Sequence, residues 1–375
     1  MEYRAFDKLG INTSLLGFGC MRFPTNKDGS INHAEAEKMM DEAYKNGVNY
    51  YDTAYVYHGG KSEGFTGEVL AKYDRNSYYL ATKLPCFSIN SLEEAERIFE
   101  EQLQRLQMDY IDFYLLHAMN KDLFDKMVSL GILDFCDKLK KEGKIKYFGF
   151  SFHDDFEAFS YILQYRDWDF CQIQLNYMDT DIQASMKGYE LAEKLNVPLI
   201  IMEPIKGGSL ANLPQSVTKY FQEADPEKSV ASWALRWVAS LPNVKVILSG
   251  MSDEKQVVDN LATLGDFKKL NEKEQEAVTN VVEALRNRVK NGCTRCSYCM
   301  PCPAGVDIPK NFHIWNDHGI YDNEGSTKWF WYNDIEDKAK AKNCISCGKC
   351  EKICPQKIKI REDLGKLQTE LDAVK

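Results

Sequence analysis

Several things are missing from this 375-residue chain, and each absence removes a class of function. No apolar run approaches the ~20 residues that a helix needs to cross a bilayer, so no membrane segment is expected. The N-terminal "MEYRAFDKLG" lacks the apolar core of a secretory signal, which argues against export. Cations are not in surplus. The formal charge of −9 leaves nothing to neutralise phosphates in bulk, so no nucleic-acid partner is expected. A spread-out disulfide framework is missing as well. Of 12 cysteines, Cys20, Cys86, Cys136 and Cys171 stand singly and the rest crowd into two late runs, which suits a reducing cytoplasm. The chain also lacks a Gly-x-Gly-x-x-Gly turn after its first apolar run, where "GFGCMRFP" stands instead. That disfavours a doubly wound dinucleotide-binding sheet. No flavin motif is visible, and nothing repeats except the cysteine runs.

What is present is ordinary in composition, 44% apolar and 27% charged, as for a soluble globular protein. From residue 14 to about 285, short apolar runs alternate with longer amphipathic stretches. The runs are "SLLGFGC", "VNYYDT", "SYYLATK", "IDFYLLH", "IKYFGFS", "FCQIQLN", "PLIIMEP" and "VKVILSG". Their length and their β-branched and aromatic content predict buried strands. Helices are expected at "HAEAEKMMDEAYKNG", stopped by Gly47, at "SLEEAERIFEEQLQRL", with Ser91 and Glu94 in capping-box positions, and at "DPEKSVASWALRWVAS". The alternation predicts an α/β fold, a (β/α)8 TIM barrel over residues 1–285. Residues 286–375 form a second region rich in Cys, Pro and Gly. The aromatic stretch between its cysteine runs is expected to pack around whatever the thiols hold.

In such barrels chemistry gathers at the C-terminal ends of the strands. Reading those ends gives Asp52 after the second, Tyr57 five residues on, Lys83 ending the third and His117 ending the fourth. A tyrosine of pKa near 10 is a poor proton donor at neutral pH, and a neighbouring lysine cation lowers that pKa by stabilising the phenolate. A carboxylate would fix the lysine, and a histidine could orient a substrate carbonyl by hydrogen bonding.

On these four residues, and on the N-terminal "YRAFDKLGINTSLLGFG", residues 1–285 resemble the aldo-keto reductase family. The tetrad matches in order and spacing, and Glu63 in "GGKSEG" matches a Ser-Glu segment that follows the family's tyrosine. The resemblance implies Tyr57 as general acid, Lys83 and Asp52 as its tuning pair and His117 as the carbonyl-orienting residue. It also implies a nicotinamide cofactor, with Ser151 and Gln172 at its amide and Met202 where relatives stack a tyrosine on the ring. Phe152 stands where the family has asparagine. Lys206, Gly207 and Gly208 would face the pyrophosphate, and Gly250, Met251, Ser252, Gln256 and Asn260 would supply the last contacts. Many relatives place an arginine for the 2′-phosphate of NADP where this chain has Gln256, so NADP and NAD both stay open.

The second cysteine run, Cys344, Cys347, Cys350 and Cys354-Pro355, is C-x2-C-x2-C-x3-C-P, the bacterial [4Fe–4S] ferredoxin spacing. Structural zinc is the alternative, but it usually takes two separated C-x2-C pairs. The first run, Cys293, Cys296, Cys299 and Cys302, is one residue shorter before its last thiol. A crossed assignment gives Cys293, Cys296, Cys299 and Cys354 to one cube. Cys344, Cys347, Cys350 and Cys302 then hold the other. The region resembles two-cluster ferredoxin modules, a small and largely α-helical domain, and a subset of aldo-keto reductases carries such an extension. Two [4Fe–4S] clusters are expected, and at least one.

These features predict a cytoplasmic oxidoreductase acting on a small-molecule carbonyl or alcohol, with electron transfer through the iron–sulfur tail. The alternative is a nicotinamide-binding electron-transfer or regulatory adaptor with little turnover. Cubes pass single electrons whereas nicotinamide passes a hydride. Joining them calls for a flavin or for a redox protein partner that takes electrons in two steps.

Overall fold

The computed structural model describes residues 1–374. Two short strands precede the first apolar run, β1 (Tyr3–Phe6) and β2 (Ile11–Ser14), paired antiparallel. Each of the eight apolar runs then supplies a parallel strand. They are β3 (Leu16–Gly19), β4 (Tyr50–Asp52), β5 (Tyr79–Leu84), β6 (Ile111–Met119), β7 (Ile145–Phe152), β8 (Phe170–Gln174), β9 (Leu199–Met202) and β10 (Val244–Ser249). They close into a barrel in chain order, with β10 returning to β3. Long apolar runs without alternation are what a sheet covered on both faces requires.

Side chains fill the barrel. Phe113 lies 5.0 Å from Tyr50 and 4.9 Å from Phe170, ring centre to ring centre. Phe6 at the end of β1 joins them, 5.8 Å from Phe113, so the N-terminal hairpin contributes to the interior. The hairpin was not expected from sequence, because two four-residue strands carry too few apolar positions to register as periodic.

Of the expected helices, Asn32 caps His33–Lys45, which ends just before Gly47 at φ +90°. Ser91 caps Leu92–Leu106 through a 3.3 Å bond from Glu94 N–H. The Glu94 carboxylate reaches one residue further back than a capping box would, to Asn90 N–H at 2.7 Å. The third helix, Val230–Ala239, starts only after "DPEKS".

Contacts divide the chain into two units. The first is Met1–Gly207 with Ser232–Asn271, and the second is Gly208–Ala231 with Glu272–Lys375. Within the second, Lys273 Nζ on helix Glu272–Arg286 donates to the carbonyls of Glu223 and Ala224, at 3.2 and 3.3 Å, at the end of helix Gln215–Ala224. Its core gathers Phe312 and Trp315 from helix Ile308–Tyr321, then Trp331, and Leu364 and Leu367 from helix Ile360–Asp372. Both buried indoles are satisfied: Trp315 donates to Glu370 and Trp331 to Asp372, at 2.8 and 2.9 Å. The aromatic stretch between the cysteine runs thus forms the core against which Cys293, Cys299, Cys302, Cys344 and Cys350 pack.

Candidate active site

Asp52 ends β4 and Lys83 lies one residue before the end of β5. Both are buried, at 3% and 0% exposure. Lys83 Nζ bonds Asp52 Oδ1 at 2.6 Å and the Thr53 carbonyl at 2.7 Å. It also lies 5.0 Å from the centre of the Tyr57 ring. Tyr57 opens a tight turn, Tyr57–Gly60, in which His58, Gly59 and Gly60 all have positive φ. Glycine suits two of those positions, and His58 accepts strain to make the third.

His117 owes its aim to a break in β6. The register with β7 shifts between Leu116 and Met119, Ala118 sits at φ +56°, and its N–H donates to Ser151 Oγ at 2.8 Å. The His117 ring meets Tyr57 edge-on, centres 6.0 Å apart, and packs 5.7 Å from Phe87. All four members of the expected tetrad therefore come together.

Burial decides the electrostatics. It would depress Lys83, but Asp52 at 2.6 Å and Tyr57 outweigh it, and the lysine is held above its usual pKa as a cation. The Tyr57 phenol is pushed up by burial. Lys83 pulls it down without winning, because Asp52 offsets much of the lysine's charge. The net shift is opposite to the lowering expected from sequence, and the cause is desolvation. His117 is driven down to about 3 by burial, with help from Lys83 and His153, so it is neutral at ordinary pH.

The expected cofactor residues fall in several places. Ser151 ends one residue short of the end of β7 and Gln172 lies in β8, at 1% and 2% exposure. Gln172 Nε2 touches Met202 Sδ at 3.5 Å, while its Oε1 has no partner among the described residues. Asp52 Oδ2 and His117 Nδ1 are likewise buried without partners. An orphaned amide oxygen beside a thioether suits the carboxamide N–H of a nicotinamide, and the Ser151 hydroxyl keeps its proton to donate. These residues fit the ring. Gly207 and Gly208 have φ of +62° and +101°, with nothing within 4 Å of a would-be Cβ. Gly208 begins the second unit's first segment.

Lys206 is already engaged. Both Asp179 oxygens accept from its Nζ, at 2.7 and 2.8 Å, and Asp179 is held in turn by Gln174 and Asn176. Met251 packs into the core at 1% exposure, whereas Ser252 is exposed. Asp253 caps helix Glu254–Gly265, and Gln256 returns its Oε1 to Ser252 N–H at 2.8 Å. Asn260 is buried and donates to Ser249 Oγ at 2.9 Å. Sequence reading missed Arg22, an exposed cation whose side chain lies over Gly250. A Cβ on Gly250 would fall 2.7 Å from Arg22 Cγ, a signal visible only in three dimensions.

In the second unit the eight late cysteines line two cavities. Cys293, Cys296, Cys299 and Cys354 line one. Cys302, Cys344, Cys347, Cys350 and again Cys299 line the other. Among the described residues no three His, Cys, Asp or Glu side chains converge on one ion position. Thiols ringing a cavity fit a multi-atom cube better than a single zinc ion, whose four ligands must meet tetrahedrally.

An aldo/keto reductase family model matches residues 15–283, and a 4Fe-4S dicluster domain model matches residues 292–358. L-galactose dehydrogenase of Arabidopsis thaliana is 27% identical over 78% of this chain and 96% of its own. The holo form of an aldo-keto reductase from Bacillus halodurans superposes with a TM-score of 0.63 at 26% identity, over 75% of this chain and 96% of its own. A Klebsiella pneumoniae aldo-keto reductase, solved in complex with NADPH, has a TM-score of 0.60 at 20% identity, over 75% and 96% of the two chains, a likeness of fold. The chain belongs to the aldo/keto reductase family, as an oxidoreductase extended at its C-terminal end by a 4Fe–4S domain.

Proposed function

We propose that this chain interconverts a carbonyl and an alcohol with NADP or NAD, Tyr57 serving as general acid and base. One observation carries the reading: Lys83, paired at 2.6 Å with Asp52, is aimed at the Tyr57 ring, which meets a neutral His117 edge-on. Burial keeps the Tyr57 phenol protonated but makes it a weaker donor, so donation depends on the cationic Lys83 beside it to hold the phenolate left behind. His117, uncharged, hydrogen-bonds the substrate oxygen without competing for its proton. Gln172 and Ser151 would hold the carboxamide, and Met202 would pack on the ring. The nicotinamide supplies the hydride.

NADPH oxidation with a panel of aldehydes tests the assignment. Tyr57→Phe is expected to lose at least ~100-fold in kcat, the usual worth of a positioned acid, while nucleotide binding persists. Equal rates in the two proteins would sink it.

Residues 1–285 carry this chemistry and residues 286–375 the clusters, in a reducing cytoplasm. The lining of the two cavities supports two [4Fe–4S] clusters in the crossed pattern, with Cys354 completing the set of Cys293, Cys296 and Cys299, and Cys302 that of Cys344, Cys347 and Cys350. Such clusters exchange single electrons, so their exchange is with an external redox protein. Iron and sulfide quantitation of anaerobically purified protein checks this, and stoichiometric zinc without sulfide would overturn it.

A further inference from the structure

Behind the tetrad, inside the barrel unit, lies a carboxylate that the proposed reaction does not use. Glu63 sits in the first turn of helix Ser62–Leu70 and has no exposure at all. It accepts hydrogen bonds from Thr82 Oγ1 at 2.6 Å, Gln102 Nε2 at 2.7 Å and Arg105 Nη1 at 3.3 Å. Two of these donors reach onward to backbone. Gln102 Nε2 also contacts the carbonyl of Lys83, at 3.0 Å. Arg105 Nη1 also contacts the carbonyl of Tyr55, two residues before Tyr57, at 3.3 Å. The third donor, Thr82, is the residue before Lys83.

The surroundings are built to keep this node rigid. Tyr114 donates to Gln102 Oε1 at 2.8 Å, which fixes the amide's orientation. The Arg105 guanidinium lies 4.1 Å from the centre of the Tyr55 ring and pairs with Glu101, whose other oxygen accepts from Tyr55. Gly67 lets the helix press against the end of helix Leu92–Leu106, since a Cβ there would fall 2.3 Å from the Leu106 carbonyl. At that approach Gln102 and Arg105 are within hydrogen-bond reach of Glu63.

A wholly buried carboxylate is a poor way to glue a helix to a strand, because apolar groups of similar volume do so without the desolvation cost. What Glu63 alone provides is a single charged point shared by the segments that carry Tyr57 and Lys83. We infer that Glu63 is a positioning residue that fixes the Tyr57 segment against Lys83 and so holds the proton donor at its working distance. The inference rests on the proposed role of Tyr57.

The test is Glu63→Gln in the full-length holoprotein, followed by aldehyde reduction and by nucleotide binding. Misplacing the proton donor should lower kcat about tenfold, leave the NADPH dissociation constant unchanged and raise the solvent deuterium isotope effect on kcat. The isotope effect separates positioning from mere structure, because a partly unfolded sample loses kcat in proportion to its active fraction with the effect unmoved. A folded variant with wild-type kcat and isotope effect overturns the inference, as does a loss of kcat with the isotope effect unchanged. If Glu63→Gln does not fold, Arg105→Leu, which removes the arm to Tyr55 together with the contacts to Glu63 and Glu101, must give the same pattern. Arg105→Lys, which keeps a cation beside Glu63, must then recover part of it. Full activity in Tyr57→Phe would strike the underlying assignment itself. An inactive Tyr57→Phe beside an unaffected Glu63→Gln strikes only the role of Glu63.

Discussion

Lys83 and Asp52 form a pair with almost no access to water, and that makes each dependent on the other. Lys83→Met should remove turnover and also leave Asp52 buried and uncompensated, lowering stability by about 3–5 kcal/mol in a urea titration. His117 gives a second handle. Its pKa falls from near 6.5 when unfolded to about 3 when folded, so between these values the unfolded state holds one more proton. Its contribution to stability is therefore complete above about pH 6.5 and is lost as pH falls towards 3. Replacing it by Asn should flatten the fall in stability between about pH 7 and pH 5, and an unchanged slope would show that His117 is not held neutral. The tetrad was legible in the sequence because each member ends or follows an apolar run. Arg22 over Gly250, Asp179 on Lys206 and the Glu63 node were not, because their partners are 19 to more than 200 residues distant along the chain.

At the scale of elements, regular strands set positions and irregular backbone sets aim. The eight strands followed from uninterrupted apolar runs, since a sheet covered on both faces leaves no alternation to misread. The Ala118 bulge and the His58–Gly60 turn did not, because bulges depend on the neighbouring strand and on Ser151 as acceptor. Helix approach is equally non-local. Gly67→Ala would drive a Cβ into the Leu106 carbonyl, and overpacking of this kind costs typically about 1–3 kcal/mol, measurable as a lower urea midpoint. The start of helix Glu254–Gly265 shows why the nucleotide choice could not be read. Gln256 is held by Ser252 N–H and Asp253, Lys38 pairs with Glu254 in the same first turn, and the Arg22 side chain lies over Gly250, so cations reach this region from distant parts of the chain. Gln256→Arg should tighten NADP relative to NAD by about tenfold, one charge-assisted contact's worth, in competition binding. No change in the ratio would mean that the 2′-phosphate lies elsewhere.

For the molecule as a whole, the division into two units changes what the thiols can be asked to do. The four residues proposed for proton transfer, Asp52, Tyr57, Lys83 and His117, all belong to the first unit, whereas all eight clustered cysteines belong to the second. Their spacing was readable because cluster ligands repeat locally. The recruitment of residues 208–231 and of helix Glu272–Arg286 to the same unit was not, since it rests on contacts such as Lys273 to Glu223 across 50 positions. If the crossed pattern holds, Cys354 serves the set of the first run although it ends the second, and it is the only buried thiol among the eight. Cys354→Ser should then lose about half the iron and sulfide while the ferredoxin-type signal of the other cube survives in electron paramagnetic resonance of the reduced protein. Aldehyde reduction with NADPH should stay within about twofold of wild type, because no group of the proton-transfer site has been touched. Loss of both clusters would argue for one shared thiol cage. Loss of reduction in a folded, half-loaded protein would place the second unit in the carbonyl chemistry itself.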